Sequence, residues 1–257
     1  HGMRQQAENL GILTLAGESD AIELSTPYYA WRKIFAHLLE IDREPVQEKR
    51  QQVVLNKFAS EPEMLRQIPL LNAVLPLDFP PNAYTSSLSG QAMADTTRSF
   101  LLDLFQLLVT ATPTLLVIED VQWLDSASWS LVLAVSQHIG NLLLTLTTRP
   151  PGDSPSESYV RLRDAPQTHY LVLSSLSAED TYALVCQRLG VARAPESVAS
   201  LIHEKAQGNP FFIEELAYAL RDSGDIFIRD EVCWIAPETR DLQALSLPDT
   251  THGVITS

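Results

Sequence analysis

The chain has 257 residues, 45% of them hydrophobic, which is enough to fill one large domain or a core with a smaller satellite. Its 18 Lys and Arg stand against 32 Asp and Glu, a formal charge of -14, which argues against direct nucleic-acid or anionic-lipid partners. Two cysteines without metal-ligand spacing, Cys186 and Cys233, and apolar runs shorter than the roughly 20 residues that span a bilayer lead us to expect a cytoplasmic chain with no metal framework and no membrane contact.

GILTLAG (11–17) is a short apolar segment between glycines and predicts a strand. STPYYAWRKIFAHLLE follows, with Thr26 as a candidate N-cap, Pro27 at the first helical position, and Trp31, Ile34, Phe35, Leu38 and Leu39 on one face. The spacing predicts an amphipathic helix there. Residues 60–90, rich in Pro, Ser and Asn, predict an irregular excursion. A helix is expected over 92–110, where Phe100, Leu101, Leu104, Phe105 and Leu108 repeat at three and four.

TLLVIE (114–119) predicts a buried strand, Ser126 to His138 a helix capped by Asp125 or Ser126, and LLLTLTTRP (142–150) and HYLVLSS (169–175) two more strands. Strands apolar along their whole length and alternating with helices indicate an α/β fold, a parallel sheet covered on both faces, over residues 1–175. From 176 to 224 the pattern is helical only: Asp180 follows Ser177 at capping-box spacing, and Gly190, Gly208 and Gly224 fall where helices would end. DIFIRDEVCWIAP (225–237) reads as a β-hairpin that opens a last segment running to 257.

Chemistry is suggested at the end of the 114–119 strand. Ligands of doubly wound sheets sit beyond the carboxyl ends of the strands, where Glu119 and Asp120 would project. One carboxylate there can hold hydrated Mg2+ while its neighbour orients or deprotonates a water, a pairing suited to phosphoryl transfer from a nucleotide. The plainer alternative is a pair of solvated acids, with Asp125 a helix cap. Thr147, Thr148 and Arg149 close the next strand, and a guanidinium fork matches phosphate oxygens. GNPFFIEEL (208–216) places Gly208 at one helix end and Pro210 at the next helix start, and Phe211 and Phe212 are expected in the core. Trp123 is expected to pack between sheet and helix.

Taken in order, LAGESDAIELSTPYYAWRKIF, LLVIEDVQWLD, LTTRP and GNPFFIEEL resemble the STAND branch of AAA-related P-loop ATPases, found in multidomain bacterial adenylate/guanylate cyclases and large LuxR-type regulators. The second segment resembles the Walker B strand, the third the sensor strand, and the fourth the Gly-x-Pro lid motif. The resemblance implies a P-loop NTPase-like sheet followed by a helical lid. It also implies a metal role for Glu119, a water-orienting role for Asp120, and nucleotide contacts from Thr148, Arg149 and Pro210. The family often has Asp where Glu119 stands. LPDTTHGVITS (247–257) resembles the beginning of a following helical or winged-helix domain.

A P-loop needs GxxxxGKS or GxxxxGKT, whose backbone N–H groups and Lys cradle the phosphates, and these 257 residues contain neither. The resemblance therefore implies a regulatory ATP/ADP and Mg2+ module whose P-loop lies upstream and whose output domain lies downstream, the two ends of the chain being cuts. The chain alone is expected to be inactive, without tight nucleotide binding, and self-association is left open. The alternative is a non-catalytic interaction scaffold that has lost nucleotide binding.

Overall fold

Residues 2–109, 112–150 and 156–237 are described by the structure, a computed structural model, and they fall into two units, His1–His169 and Tyr170–Ser257. The first unit opens with helix α1 (Gly2–Asn9) and strand β1 (Leu13–Glu18). A 3-10 turn (Tyr29–Trp31) leads into α2 (Arg32–Leu38), and α3 (Gln47–Lys57) and α4 (Pro62–Gln67) follow. Then come a 3-10 stretch (Ile68–Ala73), α5 (Ala83–Ser86), α6 (Gly90–Val109) and β2 (Thr114–Glu119). A 3-10 turn (Val121–Trp123), α7 (Ser126–His138), β3 (Leu142–Leu146) and α8 (Glu157–Arg163) complete the unit.

The three strands form a parallel sheet in the order β1-β2-β3, so the expected α/β class holds with a three-stranded sheet. β2 is central and buried along its length because its two faces meet different cores. Leu116 and Ile118 join the large cluster built on α2, α6 and α7, whereas Leu115 and Val117 pack with Ala7 of α1. That double coverage is why its sequence is continuously apolar instead of alternating. In the large cluster the rings of Trp31 and Phe105 meet edge-on at 5.8 Å, and Phe35 meets Phe105 edge-on at 6.4 Å. The α1 face is thinner toward β3. Leu143, in register with Leu115, is 60% exposed, and the outer edge of β3 pairs with no strand among the described residues.

The helix expected from Thr26 and Pro27 starts later, at Arg32. The Thr26 hydroxyl donates to Glu23 Oε2 at 2.5 Å and so does not cap, and Tyr28 adopts a left-handed φ of 58° that interrupts any helix. The 60–90 excursion is also more ordered than expected. Asn82 and Thr85 close a reciprocal capping box on α5, and the Asn72 side chain bonds both the N–H and the carbonyl of Phe79. Leu70, Leu71, Val74, Leu75 and Leu77 enter the main core from this segment. Proline spacing hides their burial because they sit on short turns with no 3.6-residue period.

In the second unit, α9 (Ala178–Leu189), α10 (Glu196–Ala206) and α11 (Pro210–Asp222) are followed by an antiparallel hairpin, β4 (Ile226–Arg229) and β5 (Val232–Ile235). Asp230 and Glu231 both carry positive φ, 53° and 57°, the two-residue turn that matches the twist of paired strands. Ile226 and Cys233 of the hairpin are buried in the same core as Val185, Ile202, Ile213 and Leu220, so helices and hairpin share one interior.

Two expectations for this unit are corrected. Residues 169–175 are not a strand: Leu171 and Leu173 are 82% and 94% exposed, and no described residue pairs with the segment. A strand-like composition cannot make a strand without a partner for its N–H and C=O groups. Phe211 is 58% exposed and outside the core, whereas Phe212 does pack against it. The segment expected to begin a further domain, 247–257, lies outside the described residues.

Candidate functional site at the carboxyl edge of the sheet

Because the strands are parallel and in register, their carboxyl ends emerge along one edge. Glu18 of β1 is level with Glu119 of β2, and β3 ends opposite Ile118. Like charges side by side on neighbouring strands repel. Here each has its own cation: Lys33 Nζ binds Glu18, and Arg4 Nη1 lies 3.8 Å from Glu119 Oε1. Arg4 comes from α1, the helix that covers Leu115 and Val117, so the same packing brings the guanidinium to the strand end. Glu119 stays about half exposed.

Asp120 turns the chain out of the sheet with φ 57° and ψ 39°, a conformation Asp tolerates better than most residues. Its N–H donates to Thr147 Oγ1 at 3.3 Å, the Val121 N–H donates to the Thr147 carbonyl at 3.0 Å, and the Thr147 N–H donates to the Ile118 carbonyl at 3.1 Å. The turn after β2 is thereby tied to the turn after β3. Gln122 adds a second tie: its Nε2 donates to Asp120 Oδ1 at 2.9 Å, and its Oε1 accepts from the Arg149 N–H at 3.2 Å. One amide side chain thus bridges the Asp120 carboxylate and the Arg149 backbone, while Asp120 Oδ2 accepts no hydrogen bond from a described residue.

The structure brings Glu119, Asp120, Thr148 and Arg149 to this edge. Thr148 spends its hydroxyl locally, donating to the Arg149 carbonyl at 2.9 Å, so Thr147 is the threonine that braces Asp120. Arg149 is exposed, and Trp123 is half-buried. Asp125 is the N-cap of α7: Oδ1 accepts from the Ser128 N–H at 2.9 Å and Oδ2 from the Ser128 hydroxyl at 2.5 Å. Pro210 belongs to the second unit, at the first turn of α11, where Asn209 caps the helix by accepting from the Phe211 N–H.

Sequence reasoning missed Arg4, Gln122 and the bracing role of Thr147. The position of Gln122, two residues after a carboxylate in a turn, is the only local signal for it. No group of three or more His, Cys, Asp or Glu among the described residues could hold a metal. Mg2+ is commonly bound by one or two carboxylates with waters and substrate phosphates, and a half-exposed Glu119 beside Asp120 fits that donor set.

A family described as "Domain of unknown function (DUF8739)" matches residues 177–234, which correspond to the helices and hairpin of the second unit. The chain is similar to adenylate cyclase type 10 of Homo sapiens, 21% identical over 211 residues that cover 82% of this chain and 13% of that protein. It is similar to the Rattus norvegicus protein of the same name, 21% identical over 147 residues, 57% of this chain and 9% of the relative. The chain therefore spans about a tenth of the length of the curated relatives it matches. No solved structure matches it significantly. Among the described residues, no helix is long and apolar enough to cross a membrane.

Proposed function

We propose that this chain is the greater part of an ATP/ADP-binding regulatory module, P-loop NTPase-like in its sheet, within a larger multidomain protein related to adenylate cyclases. The observation that carries this reading is the convergence of Glu119, Asp120 and Arg149 on one sheet edge, where Gln122 bonds both the Asp120 carboxylate and the Arg149 backbone N–H. Glu119 would hold hydrated Mg2+, and Asp120 Oδ2, which has no donor among the described residues, would orient a water. Arg149 would read the terminal phosphate. The bound metal would screen charge on the phosphates.

A second feature supports the reading. The outer edge of β3, unpaired among the described residues, and the exposed Leu143 leave room for a further strand with a helix on the α1 face. A strand-loop-helix unit carrying the phosphate-cradling glycine loop would fill both. Cyclase chemistry itself is assigned to other parts of such a protein, because nothing in this chain resembles a cyclase catalytic domain.

Reading the source gene upstream of His1 over about 40 codons, one strand-loop-helix unit, tests the proposal. It should reveal an apolar run followed by GxxxxGKS or GxxxxGKT. The chain extended to include it should then gain Mg-ATP-dependent thermal stabilisation that Glu119→Gln and Asp120→Asn diminish. An unrelated upstream stretch, or an extended chain indifferent to Mg-ATP, would leave the interaction scaffold as the better reading.

A further inference from the structure

A cavity of about 550 Å³ lies along the outer edge of β1, lined by parts of β1, α2, α3 and the Leu75–Pro76 turn. None of Glu119, Asp120, Thr148 and Arg149 lines it. Two of its walls are arginines, Arg32 of α2 and Arg50 of α3, and the Nε of each is buried without a hydrogen-bond partner. In a chain with 32 Asp and Glu against 18 Lys and Arg, an arginine has many carboxylates to choose from, yet neither of these pairs with one among the described residues.

The lining also holds Lys33, Asp42 and Glu44. Lys33 binds Glu18, which is outside the cavity lining. Asp42 Oδ2 faces His37 Nδ1 at 3.5 Å, and Glu44 Oε1 accepts from the Val46 N–H at 3.0 Å. The Arg32 guanidinium also stands over the Tyr29 ring, 5.3 Å from its centre, which occupies one of its faces. The lining therefore sets two arginines that have no ion-pair partner among the described residues beside two carboxylates held by His37 and by the Val46 N–H.

The strand adds neutral donors. The Leu13 and Ser19 N–H groups donate to Pro113 and Glu119 on the β2 side. Alternation along a strand then turns the N–H and C=O groups of Thr14 and Ala16 outward, to the cavity side. Because each Nε is shut off from solvent, the two terminal Nη groups of each guanidinium are the donors that would present a parallel N–H pair to two oxygens of a carboxylate or phosphate.

We propose that this cavity is a binding site for a small oxyanion-bearing molecule, a carboxylate or phosphate held between Arg32 and Arg50 with the Thr14 and Ala16 N–H groups at its rim. The site is separate from the carboxyl edge of the sheet and does not depend on nucleotide binding there. Its volume suits a small molecule, and the apolar side of Leu75 and Pro76 would contact the ligand's carbon frame.

Calorimetric titration of the 257-residue chain with malonate and, separately, with inorganic phosphate, at ionic strength held constant with chloride, tests the assignment. At least one probe should bind saturably, and Arg32→Gln and Arg50→Gln should each weaken it by about tenfold or more, the loss of one charge-assisted fork. Arg50→Lys, which keeps the charge and loses the fork, should fall between. Circular dichroism identifies a variant that has failed to fold, and the other arginine's variant then decides. Preference for malonate would identify a carboxylate ligand and preference for phosphate a phosphorylated one. Absence of saturable binding, or binding lost in Arg149→Gln and kept in the Arg32 and Arg50 variants, would overturn the proposal. So would binding of an acidic peptide but of neither probe, which would make the β1 edge a protein-docking strand.

Discussion

Asp125→Ala separates a structural carboxylate from Glu119 and Asp120, the two acids proposed above to serve Mg2+ and a water. Asp125 caps α7 through the Ser128 N–H at 2.9 Å and also accepts from the Ser128 hydroxyl at 2.5 Å. Losing an N-cap costs about 1 kcal/mol, and orphaning a buried hydroxyl costs about 1–3 kcal/mol, so the total is roughly 2–4 kcal/mol. Ser128 is fully buried, so water cannot replace the lost acceptor. With a urea slope of about 2 kcal/mol/M, the midpoint should fall by roughly 1–2 M. Fluorescence is a suitable probe because Trp31, Trp123 and Trp129 all lie in the first unit. Asp125→Asn keeps an acceptor for the N–H and can donate its amide to the hydroxyl, so it should stay within about 1 kcal/mol of the parent. A loss below about 0.5 kcal/mol for Ala, or an Asn variant as weak as Ala, would refute the capping argument.

Gly208→Ala should destabilise the second unit. An added Cβ would lie 2.5 Å from the Leu176 carbonyl oxygen, and φ is already +72°. Left-handed strain and overpacking together amount to roughly 2–5 kcal/mol. Cys186 and Cys233, both buried in that unit, should alkylate more than about 30-fold faster at fixed pH. Gly208→Asn, which tolerates the dihedral but still carries a Cβ, should not rescue the unit. A second expectation concerns alkaline pH. Burial pushes the Cys233 thiol above its ordinary 9.0, reinforced by Cys186. Burial likewise pushes the Tyr28 hydroxyl above 10.0, with Asp125 and Asp95 adding to the shift and Arg98 opposing it. In both cases the folded state holds its proton more tightly than the unfolded chain. That stabilisation is complete below pH 9 for the thiol and below pH 10 for the phenol, and it is lost as pH rises through the raised values. Urea midpoints should decline from pH 8.5 to 11, and Cys233→Ala should delay the onset; a flat profile would contradict the burial argument.

The readings that held were those with a local physical cause. β2 was legible because burial on two faces demands an unbroken apolar run, and TLLVIE has one. The start of α7 was legible because Asp125 carries its own cap chemistry, and the hairpin because Asp230 and Glu231 interrupt two β-like runs at two-residue spacing. Ser177 capping α9 and Gly190 ending it in a left-handed conformation are equally local signals.

What tertiary structure alone decided involves groups distant in sequence. Residues 169–175 have the composition of a strand, but pairing is a property of two segments, and among the described residues this one has no strand partner. Tyr28 breaks the expected helix, although nothing in the STPYYAW spelling favours a left-handed tyrosine. Gln122, bonded to Asp120, reaches the Arg149 N–H 27 residues further along the chain, a tie created only when two parallel strands end side by side. The Arg32 and Arg50 cavity is the extreme case: each residue read alone is an ordinary basic position on a helix. Only the packing of α2 and α3 along β1 buries both Nε atoms without a partner. Backbone chemistry is written residue by residue, whereas whether a buried arginine finds a partner depends on which side chains the fold brings within its reach.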